Sequence, residues 1–150
     1  METRINVHEK GQKALKLLFS MGGYLQKSPV GQQLMELICF RVSQINGCAY
    51  CLDMHSKDLR AKGETEQRLY GLSAWRETPY YSDRERAALA WAEALTGCHV
   101  PDDVYGKAKE QFTDEELIDL TFVITNINTW NRLNLAFPTV PGDYKPGQYA

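Results

Sequence analysis

Cys48, Cys51 and His55 stand together in the stretch GCAYCLDMH at residues 47–55. Side chains three and four apart are stacked neighbours on a helix, so on one that begins near Gly47 positions 48, 51, 52, 55 and 59 share a face. The two thiols and the imidazole then touch. Cys48 falls in the first turn, where unpaired backbone amides and the helix dipole favour a thiolate. His55, one turn beyond Cys51, is placed to take its proton or, once charged, to stabilise the anion. On a regular helix, Cβ atoms at i and i+3 are roughly 5 to 6 Å apart, against about 3.8 Å in a relaxed disulfide. Closing a Cys48–Cys51 bridge is therefore expected to distort the first turn and to give a readily reduced bond.

The same residues allow other chemistry. Zinc would need a fourth ligand beside Cys48, Cys51 and His55, with Glu36, Cys98 or His99 available. A structural disulfide, or plain buried cysteines, would also account for the pair. Glu36 lies opposite the main apolar stripe of its helix, which reads as an exposed glutamate. Its apolar neighbours support a second reading, a carboxyl with a raised pKa that passes protons near pH 7. Cys39 and Cys98 read as small buried apolar residues, His8 and His99 as surface or capping residues, and Trp75, Trp91, Trp130, Tyr80 and Tyr81 as core or subunit contact.

The elements that position these groups read as helices. Apolar residues from Ala14 to Met21 predict a first helix over residues 8–25, ending at Gly22 and Gly23. Ser28 and Pro29 predict the cap and first position of a second helix. Its main stripe is Val30, Leu34, Leu37, Ile38, Val42 and Ile45, with Met35, Cys39 and Phe40 extending apolar surface around the other side. Arg41, inside that stripe, is expected to snorkel or pair with a carboxylate. Asn46 and Gly47 turn the chain into a third helix over 48–62, closed by Gly63. A short helix follows over 65–72. Ser82 with Glu85, and Thr113 with Glu116, are capping boxes opening the fifth and seventh helices, the sixth lying between at 101–111. The tail from Pro138 reads as irregular and draped over a neighbour. No strand alternation is visible, which excludes a thioredoxin fold and predicts one all-α domain of about seven helices over 1–150.

The chain's 150 residues, with a net charge of -2, are enough to bury about 68–70 % of the unfolded surface in one core without help from disulfides. Interleaved acids and bases argue against nucleic acid. The absence of an apolar leader or of a run near the ~20 residues of a membrane span argues against a membrane. The expected location is cytoplasmic, where a close cysteine pair is redox-active or metal-binding more often than structural.

The order Glu36, eleven residues, Cys48, two residues, Cys51, three residues, His55 resembles the signature of the alkylhydroperoxidase AhpD family, within the carboxymuconolactone decarboxylase-like superfamily. SQINGCAYCLDMH at 43–55 looks like that family's core helix pair, and NTWNRL at 128–133 is similar to its C-terminal helix. The likeness covers nearly the whole chain. It implies an all-helical protomer that forms dimers, trimers or hexamers, and a thiol peroxidase with neither cofactor nor metal. Its substrate is a hydroperoxide, and its electron donor a dithiol or protein thiol. Carried over, Cys51 is the peroxidatic nucleophile, Cys48 the resolving thiol, and His55 with Glu36 the proton relay. The decarboxylase branch matches poorly, because its members are not built around this cysteine pair.

One position departs from the pattern. Tyr50 stands where the best-characterised members carry a second histidine, and a phenol with a pKa near 10 does not shuttle protons at neutral pH. Weaker or differently tuned peroxidase activity is therefore expected. Reduction of a protein or small-molecule disulfide, or redox sensing without turnover, is the alternative.

Overall fold

Helix α3, Gln32–Asn46, is buried on most of its girth because apolar residues occupy more than one stripe: Leu37, Ile38 and Val42 are essentially inaccessible, and Met35 and Phe40 are buried beside them. Each such side chain contributes about 1.5–3 kcal/mol by leaving water. A helix without a polar face must be packed around, and α3 lies against α4, α6 and α8. A computed structural model describes residues 4–149; Met1 to Thr3, part of the stretch read as lacking a leader, and Ala150 lie outside the described residues. Among the described residues there are eight α-helices and no strand: α1 (Val7–Lys10), α2 (Gln12–Leu25), α3, α4 (Ala49–Ala61), α5 (Glu66–Gly71) running into a 3-10 helix (Leu72–Glu77), α6 (Asp83–Thr96), α7 (Asp102–Gln111) and α8 (Asp114–Ala136). None is long and apolar enough to cross a membrane.

The capping boxes at Ser82/Glu85 and Thr113/Glu116 form as expected, each satisfying orphan amides reciprocally. Arg41 is paired: its guanidinium lies 2.8 Å from Glu93, which also accepts from the Trp75 indole at 2.9 Å. Trp75 and Trp91 are core, while Trp130 is half-buried.

Three expectations are corrected. The first helix is broken at Gly11, whose N–H bonds back to Val7, so that the Asn6-capped turn α1 precedes α2. The second helix starts at Gln32 rather than at Ser28 and Pro29, because the intended cap is drawn to buried Asp119 of α8, which accepts from Ser28 Oγ at 2.6 Å and from Tyr24 at 3.0 Å. Gly31 becomes the cap at φ 90°, a conformation in which a Cβ would be strained. Ile45, counted in the main stripe, is exposed.

The tail is irregular, as expected, but it drapes over its own α4. Asp53 accepts from the Gly142 amide (3.0 Å), Asp58 from Tyr144 (2.8 Å) and from the Gly147 amide (3.1 Å), and Lys57 donates to the Gly142 carbonyl at 2.7 Å.

Candidate active site

The junction between α3 and α4 places the sulfur chemistry. Gly47, at φ 68°, ends α3 in the left-handed conformation, and Cys48 returns its amide to Ser43. Helix α4 then starts one residue later than the sequence predicts. Cys48 is its N-cap, with an extended backbone (φ -84°, ψ 97°), and its sulfur accepts the Cys51 amide N–H at 3.4 Å. Cys48 and Cys51 are joined as a disulfide, with Cα atoms 5.4 Å apart, inside the range that bridges use. The expected distortion of the first turn is absent, because the extended Cys48 backbone lies outside the helix and brings its side chain to Cys51. Both cysteines are about 1% exposed.

His55 is buried, two turns into α4, and its Nδ1 lies 2.8 Å from Glu36 Oε2 on α3. Lys62 Nζ stands 3.6 Å from the other carboxylate oxygen. Glu36 is partly buried, not fully exposed, and its pKa moves opposite to the sharper expectation. Burial is the largest single influence and pushes it up, but the hydrogen bond from His55 and the charges of His55 and Lys62 together hold it below the ordinary glutamate value. An ionised carboxylate only accepts, so His55 Nδ1 carries the hydrogen and donates it. The other ring nitrogen, Nε2, is a buried atom without a partner, and whenever the ring is neutral it is Nε2 that carries the lone pair.

Glu36, Tyr50, Cys51 and His55 line one cavity of about 770 Å³, walled largely by apolar residues such as Leu18, Met54 and Trp130; Cys48 is not on its wall. Of the four residues read as the site, Glu36, Cys51 and His55 share this wall, and Cys51 is the member of the bridged pair that lines the cavity. Tyr50 is turned to the tail, its hydroxyl 3.1 Å from that of Tyr149, and burial together with that contact raises its pKa. Cys39 shares the cavity wall, but burial and the charge of Glu36 push its thiol well above the usual value, which suits an inert sulfur. Cys98 is exposed, contrary to expectation, on the turn that follows Gly97, at φ 56°. Among the described residues no three His, Cys, Asp or Glu side chains are grouped as a metal site would require.

Asn134 was not legible as a site residue. Its amide nitrogen lies 3.7 Å from Cys51 Sγ across the helix interface. Asn131, one turn earlier and fully buried, donates to Ser43 at 3.0 Å and accepts from Asn46 at 2.9 Å, and so sets the register of α8 on α3. The one available signal was the recurrence of asparagine at 128, 131 and 134, spaced by three along the C-terminal half of α8.

An all-helical chain with a buried cysteine pair at a helix N-terminus, backed by a Glu–His hydrogen bond, defines a class. The sequence profile of the Carboxymuconolactone decarboxylase family matches residues 12–94. The uncharacterised protein YdfG of Bacillus subtilis (strain 168) is 42% identical over 139 residues, 91% of this chain and 95% of its own length. A structure from Agrobacterium tumefaciens, of unknown function and suggested to be the antioxidant defence protein AhpD, superposes with a TM-score of 0.89 at 38% identity, covering 95% of this chain and 100% of that one. An uncharacterised peroxidase-related protein from Silicibacter sp. TM1040 superposes at 0.79 with 25% identity, over 92% and 75% of the two chains. The chain belongs to the AhpD-like carboxymuconolactone decarboxylase family. Membership suggests an enzyme, and with the Cys48–Cys51 pair it supports a redox function.

Proposed function

We propose that the protein is a thiol-dependent peroxidase that reduces alkyl hydroperoxides through the Cys48/Cys51 pair. The observation that carries this reading is the His55 ring, whose Nδ1 is held by Glu36 and whose Nε2 is left free and buried at the wall that Cys51 shares. In the reduced protein, Cys51 gives its proton to Nε2 and the imidazolium is stabilised by the Glu36 carboxylate. The thiolate attacks the outer peroxide oxygen, the O–O bond breaks, and Cys51 becomes a sulfenic acid. The alkoxide takes the proton from His55 and leaves as alcohol. Cys48 sulfur then attacks the sulfenic sulfur, forming the disulfide; hydroxide leaves and, with the Cys48 proton, becomes water. A dithiol donor returns two electrons and two protons and is itself oxidised to a disulfide.

The apolar cavity wall suits an alkyl chain, and the relatives described as antioxidant or peroxidase-related point the same way. A cytoplasmic location and assembly into a homo-oligomer belong to the same proposal; exposed Leu17, Ile118 and Phe122 are apolar surface that a second copy would cover. The test is steady-state consumption of cumene hydroperoxide with dihydrolipoamide as donor, alongside thioredoxin with its reductase. Turnover that Cys51→Ser abolishes is expected. No turnover with either donor, or turnover indifferent to Cys51→Ser, would overturn the assignment.

A further inference from the structure

The orientation of the Asn134 amide follows from its neighbours. Its nitrogen lies 3.1 Å from the Trp130 carbonyl oxygen, one turn back on α8, and 3.7 Å from Cys51 Sγ. A carbonyl only accepts, so the atom facing it is the NH2 group, and the second hydrogen of that group is the one available to sulfur. Asn134 lines the cavity beside Cys51, on the side of the sulfur served by α8. Cys48 Sγ has a different donor, the Cys51 backbone amide at the start of α4. The two sulfurs of one disulfide are thus held by different groups, one by a helix N-terminus and one by a side chain from another helix.

A disulfide sulfur is a weak acceptor, whereas a thiolate is a strong one. The N–H that only touches Cys51 in the oxidised protein therefore binds it firmly once the bond is opened. We propose that Asn134 is a catalytic residue that donates a hydrogen bond to the Cys51 thiolate and so makes Cys51, rather than Cys48, the attacking sulfur. This rests on the reading of Cys51 as a reacting thiol. The neighbouring Asn131, locked to Ser43 and Asn46, keeps the donor in place by holding α8 against α3.

The test is the pH dependence of alkylation by iodoacetamide, read at each cysteine by peptide mass analysis. In Cys48→Ser protein, where no second thiol titrates beside Cys51 and the His55 environment is common to both proteins compared, Asn134→Ala is expected to move the Cys51 midpoint upward by about one pH unit, a tenfold loss of thiolate at any pH below it. Asn134→Leu, close to asparagine in size but without a donor, should do the same, and Asn134→Asp should move it further. In Cys51→Ser protein the Cys48 midpoint should not respond to Asn134→Ala. The disulfide potential should become more negative by about 30 mV, the same tenfold change for two electrons. Circular dichroism checks that each variant is folded; Asn134→Ala only widens an existing cavity. Unchanged Cys51 midpoints, or equal shifts at Cys48 and Cys51, would overturn the proposal. Alkylation needs no peroxide, so failure of peroxidase turnover would remove that reading while leaving the effect of Asn134 measurable.

Discussion

His55 Nδ1 and Glu36 Oε2 are 2.8 Å apart, a contact between α4 and α3 that fixes the tautomer of the histidine and leaves its other nitrogen free. The carboxylate, held below the ordinary glutamate value, stays ionised at pH 5 and above. In the proposed reaction its charge offsets that of the imidazolium. Glu36→Gln keeps an acceptor but removes this charge, and the rate of hydroperoxide reduction is expected to fall about 100-fold, the lower range for general acid–base assistance. The fall should be present throughout pH 5 to 8, since the native carboxyl is held below the ordinary glutamate value by His55 and Lys62. Rates measured across that range check it.

Cys48 lies behind Cys51 and off the cavity wall. In Cys48→Ser protein a single equivalent of hydroperoxide should leave Cys51 as a sulfenic acid that dimedone traps. The reverse variant, Cys51→Ser, should give no adduct. Mass spectrometry after one equivalent of peroxide reads the outcome directly, and an adduct on Cys48 would reverse the roles of the two sulfurs.

Tyr144 is buried where the tail crosses α4, and its hydroxyl donates to Asp58 at 2.8 Å. Tyr144→Phe leaves that carboxylate without its phenol donor and should cost about 1–2 kcal/mol, or roughly 2–8 °C in melting temperature for a chain of this size. Because tail residues Tyr144 and Tyr149 also line the cavity, the reduced Tyr144→Phe protein should react several-fold faster with bulky maleimides at Cys51. Differential scanning fluorimetry and labelling kinetics test the two parts separately.

Glu93 joins α6 to α3 and to the 3-10 segment by accepting from Arg41, Arg76 and Trp75. Burial pushes its carboxyl up, but the bonds from Trp75, Arg76 and Arg41 outweigh that and hold it down. A depressed folded-state pKa contributes stability that is complete above the unfolded value of about 4.3 and is lost as pH falls through the lower folded value. The protein should therefore lose melting temperature below about pH 4.5. Glu93→Gln should cost about 2–3 kcal/mol at pH 7, by leaving Arg41 without its counter-charge, and should show a shallower decline in acid. Equal pH slopes in the two proteins would contradict this.

The all-helical fold was legible because its signals are local: two capping boxes, the Asn46–Gly47 turn and the apolar periodicity of α3, α6 and α8 each act within a few residues. The misread start of the second helix has a long-range cause. Ser28 has every local attribute of a cap, yet its hydroxyl is taken by Asp119, distant in sequence and adjacent in space. Glu36 shows the same limit. Its helical position predicts exposure, and only the arrival of His55 from α4 and of Lys62 just beyond its end decides its burial and its charge.

From the chain alone, then, come the candidate cysteine pair, its histidine and their order, since Cys51 and His55, four residues apart, share a face of α4 and Cys48 immediately precedes that helix. Tertiary structure decided which sulfur faces the cavity, which nitrogen of His55 is free, and that Asn134 reaches Cys51. Each of these depends on the packing of α3, α4 and α8 against one another, and contacts between helices far apart in sequence leave no periodic trace in the residues that make them.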